Sequence, residues 1–234
     1  MKNDFESKMQ IITNRVDLDI RRQVLNLIEY LRGNNAYSFD SMCTIVQEQQ
    51  SDVDIRLITC WLLGQLGNKR AVKSLIIALN SPNTKIVLEA AKSLGIIKSK
   101  KAVQPLISIL LKAENPDQRG AAAYALGILR DKRAYEPLIQ TLTNFKEAPK
   151  VRGYSAEALA YLQDNRASSA LIAMLTDMST EVRFWSAFAL GELKEWQAIP
   201  ALARLVADDQ TVLPNWGVVS EEAAKAIDKI ISTT

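Results

Sequence analysis

Apolar residues recur at three- and four-residue steps along nearly the whole chain, in two alternating phrases. One phrase runs Ala71, Leu75, Leu79 and returns as Ala102, Leu106, Leu110; Ala134, Leu138, Leu142; Ala167, Leu171, Leu175; and Ala198, Leu202, Leu205. The other ends in Leu63-Gly64, Leu94-Gly95, Leu126-Gly127, Leu159-Ala160 and Leu190-Gly191. Steps of three and four residues mark one face of an α-helix. The endings of the second phrase lie 31, 32, 33 and 31 residues apart. A fixed period of that length is produced by stacked helical hairpins, each burying a face its neighbour completes.

Each unit parses into two helices. In the first helix a proline, Pro105, Pro137 or Pro200, falls in the opening turn, where a missing N–H costs nothing. Extending the register outward adds a first unit around Asp19-Ile20-Arg21 and a last around Ser220, Ala224 and Ile227. The pattern predicts an all-α α-solenoid of about seven hairpins and fourteen helices. It reads as a single array over 1–234, with end units at about 1–33 and 195–234. Loops are short except 208–218, which inserts Pro214-Asn215-Trp216-Gly217 before the last helix.

The phrases Asp54-Ile55-Arg56…Leu63-Gly64-Gln65-Leu66-Gly67-Asn68-Lys69-Arg70-Ala71 and Glu181-Val182-Arg183…Ala187-Phe188-Ala189-Leu190-Gly191-Glu192-Leu193 resemble HEAT repeats. The similarity is strongest to the short bacterial variety found in phycobilisome lyase subunits. It implies a right-handed α-solenoid, and it leaves function open among scaffolds, adaptors, chromophore lyases and a few enzymes.

Position in the second helix is counted from Arg21, Arg56, Val87, Arg119, Arg152, Arg183 and Ser220. The positions one before and three, four, seven and ten after share one side and are apolar or small, so they are core. Glycine recurs eight after, at Gly64, Gly95, Gly127 and Gly191. Inside a helix it costs about 1 kcal/mol against alanine, which calls for close approach of a neighbouring helix. The arginines also face the packed side and need carboxylates. The resemblance implies an Asp/Arg ladder between repeats built from Asp19, Arg21, Asp54, Arg56, Asp117, Arg119, Arg152, Glu181 and Arg183. Val87, and Lys150 two residues before Arg152, predict interruptions of that ladder.

The resemblance places the opposite side of these helices on a concave surface. The end units are polar there, as end caps should be. The middle units instead carry Leu57, Ile58 and Trp61; Tyr124 and Ile128; Tyr154 and Tyr161; and Phe184, Trp185 and Phe188. Two readings stand: an exposed aromatic trough that binds a partner, or rings sealed between curved repeats. A set spread over several units on one face favours the trough, because contiguous exposed apolar surface marks binding sites.

Charge and composition narrow the chemistry. The net charge of +3 is mild. Lys69, Arg70, Lys73, Lys98, Lys100, Lys101, Arg130, Lys132, Arg133, Arg166 and Lys194 would stack into a basic ridge at the turns, with acids on the other edge. Much of that is helix-dipole complementation, and few aromatics stand among the cations for bases to stack on. Without histidine there is no Ser-His or Cys-His pair and no imidazole metal site, nor the His-Glu iron pairs of helical-repeat hydroxylases. No catalytic residue, metal site or cofactor is assigned. Cys43 and Cys60 read as buried free thiols, and Met1 to Asn14 carries no long apolar run. Together they point to a cytoplasmic protein without a membrane span. The expected function is a non-catalytic scaffold or adaptor that binds a protein on its concave face. One alternative, implied by the resemblance, is a subunit or chaperone of a phycobilin lyase acting on bilin and phycobiliprotein. A second is nucleic-acid or acidic-partner binding along the basic ridge.

Overall fold

The computed structural model describes residues 2–15, 17–33 and 38–232. Residues 1 and 16 of the expected first unit, and 233–234 of the last, lie outside the described residues. Fourteen α-helices form among the described residues: α1 (Lys2–Arg15), α2 (Leu18–Gly33), α3 (Phe39–Gln47), α4 (Val53–Leu66), α5 (Val72–Ala78), α6 (Thr84–Ile97), α7 (Val103–Lys112), α8 (Pro116–Leu129), α9 (Tyr135–Thr143), α10 (Pro149–Leu162), α11 (Ser168–Met174), α12 (Thr180–Glu192), α13 (Ile199–Asp208) and α14 (Val219–Ile231). The fold is an all-α solenoid. Its contacts divide into two compact units, 1–102 and 103–234.

Local chemistry sets the helix boundaries. Asp52, Asn83 and Asn115 cap α4, α6 and α8 by accepting N–H groups of the first turn. The second helices end on a left-handed residue, Gly67, Lys98, Arg130, Gln163 or Lys194. From there the chain enters a single 3-10 turn that leads into the next unit. Asn68, Asp131, Asp164 and Glu195 each open such a turn by accepting an N–H two residues on.

Within unit 1–102, the second helices α2, α4 and α6 pack one on the next, while α3 lies against α5. Within unit 103–234, α8, α10, α12 and α14 stack in the same way, with α7, α9 and α11 forming the other layer. The recurrent glycines allow that closeness. A Cβ on Gly127 would stand 2.7 Å from Ala158 Cα, and one on Gly191 2.8 Å from Ala226 Cα. Cys60 is buried and Cys43 half-buried, both as free thiols. Burial pushes the Cys60 thiol up to about 12.

The long insertion is a small hairpin, β1 (Val212–Leu213) pairing antiparallel with β2 (Gly217–Val218). It is pinned to α12 at two points. Asp209, where it begins, accepts from Arg183 at 2.6 Å, and Trp216 at its tip packs edge-on against Trp185 at 4.8 Å.

Candidate functional site: an aromatic and acidic helix face

The arginine ladder exists, but its carboxylates are not those expected. Arg119 pairs with Glu147 at 2.7 Å, Arg152 with Asp177 at 2.5 Å and Arg183 with Asp209 at 2.6 Å. Each acid lies in the loop between the two helices of the following hairpin, where it can reach back to the arginine. Each arginine also donates to carbonyls that precede its own helix: Ala113 and Glu114 in the loop for Arg119, Leu142 in the last turn of α9 for Arg152, Asp177 and Met178 in the loop for Arg183. The acid two residues earlier points elsewhere, because two steps along a helix turn a side chain well away. Asp117 instead pairs with Lys150 at 2.8 Å, Asp19 pairs with Arg22 at 3.7 Å, and Asp54 lies exposed. Arg21 is likewise exposed on its end helix. Lys150 therefore interrupts nothing, since Arg152 makes the most buried pair of the three. Burial would raise Glu147 and Asp209, yet hydrogen bonds from Arg119 and Arg183 hold both below the usual carboxylate value.

In unit 1–102 the expected concave residues surround a pocket of about 130 Å³ lined by Ile20, Gln23, Leu57, Ile58, Trp61 and Glu89. Leu57 and Trp61 are half-buried; Ile58 is buried at 5% exposure. Burial pushes the Glu89 carboxyl up, and Lys92 opposes that shift.

In unit 103–234 the corresponding face is richer. Tyr124, Ile128, Tyr154, Tyr161 and Phe188 are half-buried, on α8, α10 and α12. Phe184 and Trp185 are each only 3% exposed. For Ile58, Phe184 and Trp185 the expectation of an open surface fails. Trp185 is enclosed by Phe184 at 5.3 Å, Phe188 at 5.5 Å and Trp216 of the hairpin at 4.8 Å. Room for it comes from Gly153, where a Cβ would stand 2.9 Å from the Trp185 ring. The rings left at the surface pair edge-on, Tyr124 with Tyr154 at 6.3 Å and Tyr161 with Phe188 at 6.5 Å.

A carboxyl sits among them. Glu157 occupies the same repeat position as Tyr124 and Phe188, one helix from each, and is 5% exposed. Its one hydrogen bond among the described residues comes from the Tyr161 hydroxyl at 2.9 Å. Burial raises its pKa, and the Tyr161 bond only partly offsets this. Burial likewise raises Tyr124, Tyr154 and Tyr161, and the charge of Glu157 adds to each. Sequence reasoning missed Glu157, although a lone acid five residues after Arg152, between Tyr124 and Phe188 at the same position of the neighbouring repeats, was a readable signal. It also missed Trp216 as a cover for Trp185.

The basic ridge is partly neutralised by acids of its own turns and of α3. Asp131 holds Arg133 at 2.8 Å, Asp164 holds Arg166 at 2.7 Å, and Asp40 pairs with Arg70. Among the described residues no helix is long and apolar enough to cross a membrane, and no cluster of metal-ligating side chains occurs.

A family model described as HEAT repeats matches residues 43–127 and 135–227, and one described as a PBS lyase HEAT-like repeat matches residues 118–144. No curated protein sequence matches the chain. Among solved structures, the complex of CpcE and CpcF of phycocyanin lyase from Nostoc sp. PCC7120 is similar at 21% identity. That match covers 93% of this chain and 90% of that one, with a TM-score of 0.51. An engineered protein is similar at 22% identity over 82% of this chain and 98% of its own, with a TM-score of 0.52. Likeness at this identity carries the fold.

Proposed function

This chain belongs to the HEAT-repeat family, and we propose that it holds a protein partner on the second-helix face of residues 103–234, without chemistry of its own. The observation that carries this reading is the set of half-buried rings Tyr124, Tyr154, Tyr161 and Phe188 on α8, α10 and α12, the second helices of successive hairpins. Packing inside the repeat explains a ring that is sealed, as at Trp185. It does not explain rings held at the surface in a row where lysine and glutamate would be better solvated. Tyrosine is also a frequent interface anchor, because its ring is rigid and its hydroxyl stays hydrated. The test is recovery of partners from native cell extract on immobilised protein, compared with the Tyr124→Ala, Phe188→Ala double variant. We expect the recovered partner to fall by at least about tenfold, the scale of one lost interface anchor, with the helical content unchanged. Equal recovery would remove the face from consideration.

A second reading, a subunit or chaperone of a phycobilin lyase, is favoured by one observation: the PBS lyase HEAT-like repeat match covers the helix bearing Tyr124. In that role the face would hold a chromophore and an acceptor protein together, supplying proximity. Mixing the protein with free bilin, with and without a phycobiliprotein, and recording the visible spectrum tests it. An unshifted band in both mixtures excludes it.

A further inference from the structure

Four carboxyls stand on or beside the ringed face of unit 103–234, and pairing those acids off leaves two without a cation. Asp117 is held by Lys150, and Glu192 by Lys229. Glu157 and Glu181 have no ion pair among the described residues, and burial raises the pKa of both. Lys150 is the cation felt most by Glu181 and Tyr154, and its ammonium is engaged by Asp117. A protein with a net charge of +3 thus sets two carboxyls without a paired cation beside its aromatic rings.

The same face also shows the chemistry completed. Lys229 lies 5.8 Å from the centre of the Phe188 ring while ion-paired with Glu192. A cation there is held between a ring and a carboxylate, each compensating part of its lost hydration. Around Glu157 the ring and carboxylate components recur, as Tyr124, Tyr154 and Tyr161, and the cation does not.

We propose that this face binds an arginine side chain of a partner protein, its guanidinium lying on the tyrosine rings and donating to Glu157. The inference rests on the protein-binding reading above and names the partner's chemistry. Arginine suits the site better than lysine because its planar fork can stack on a ring and bond a carboxylate at once. The buried carboxyl, costly in the free protein, becomes an acceptor that the ligand satisfies.

The experiment titrates the full chain with a blocked peptide bearing three arginines spaced by Gly-Ser, and with the same peptide carrying citrulline, which keeps the shape and loses the charge. The arginine peptide should bind at least about tenfold more tightly, as loss of a charge-assisted bond and a cation–π contact together imply. Glu157→Gln should erase that preference, while Glu89→Gln in the other unit should leave it intact. If Glu157→Gln melts early, Tyr124→Leu, which removes a ring and keeps the acid, must still weaken arginine-peptide binding. Equal binding of the two peptides, or a preference that survives Glu157→Gln, overturns the proposal. Loss of native partner in the Tyr124→Ala, Phe188→Ala variant with no arginine preference would sink this inference alone and leave the protein-binding reading standing.

Discussion

Arg56 and Arg152 hold the same place in their repeats and are 3% and 4% exposed, yet they are satisfied very differently. Arg152 donates to the Leu142 carbonyl at 2.9 Å and to both oxygens of Asp177, with its guanidinium 4.8 Å from the Phe145 ring centre. Arg56 donates to the Val46 carbonyl at 3.2 Å, and its Nε has no partner among the described residues. The difference lies outside the arginine's own helix. Asp177 stands two residues after Leu175, and the matching residue two after Leu79 is Ser81. Both side chains still serve their local turn: Asp177 accepts from the Ser179 N–H at 2.9 Å, and Ser81 from the Asn83 N–H at 3.2 Å. Serine keeps the turn and brings no carboxylate to the arginine of the preceding hairpin. A ladder rung is therefore a property of two successive repeats, and one half can be lost without loss of the fold.

The largest effect should come from breaking the complete rung. Asp177→Ser gives residues 103–234 the chemistry of the incomplete rung and strands a buried guanidinium. We expect a loss of about 3–5 kcal/mol, read from urea or thermal unfolding. A loss below about 1 kcal/mol, the scale of an exposed pair, would mean that the main-chain bonds hold Arg152 without the acid. The converse substitution is expected to have a smaller effect. Ser81→Asp supplies the missing acid to Arg56 and should stabilise the protein by about 1.5–3 kcal/mol, the range for hydrogen bonds to charged groups. Destabilisation instead would show that an acid at 81 cannot reach the guanidinium and is merely buried, so that the two rungs differ in geometry as well as in composition.

This comparison also shows what the sequence carried and what it could not. The repeat period, the fourteen helices and the irregular insertion are written in apolar spacing, glycine and proline, because they follow from local helix geometry. That Arg56, Arg119, Arg152 and Arg183 face inward was equally legible, while Arg21 lies exposed. Their partners were not, because the rung closes 25 to 28 residues away through Glu147, Asp177 and Asp209. Counting two residues back to Asp117 or Glu181 assumed a contact that helix direction forbids. The concave face was half legible. Tyr124, Tyr154, Tyr161 and Phe188 stay at the surface, but angular position alone could not foresee that Trp216, from a hairpin beyond the next helix, would cover Trp185.

The smallest and most discriminating effects concern pH, where the two kinds of acid should pull in opposite directions. Glu89, Glu157 and Glu181 have pKa values raised by burial above the usual 4.5. The folded protein therefore binds their protons more readily than the unfolded chain does, and stability should rise as pH falls from neutrality toward 4.5. Glu147 and Asp209, on the ladder, are held below their usual 4.5 and 3.8. Their contribution is fully present above those values and is lost as pH falls further, through the folded pKa. The melting temperature of the wild type should accordingly peak on the acid side of neutrality and then drop. In Glu157→Gln the rise should be shallower, the late drop unchanged and the melting temperature at neutral pH equal or higher. The differences should be a few °C, since 1 kcal/mol moves a chain of this size by about 2–4 °C. A rise as steep as that of the wild type would mean that Glu157 is already compensated in the folded state, and with that its suitability for a partner's cation would disappear.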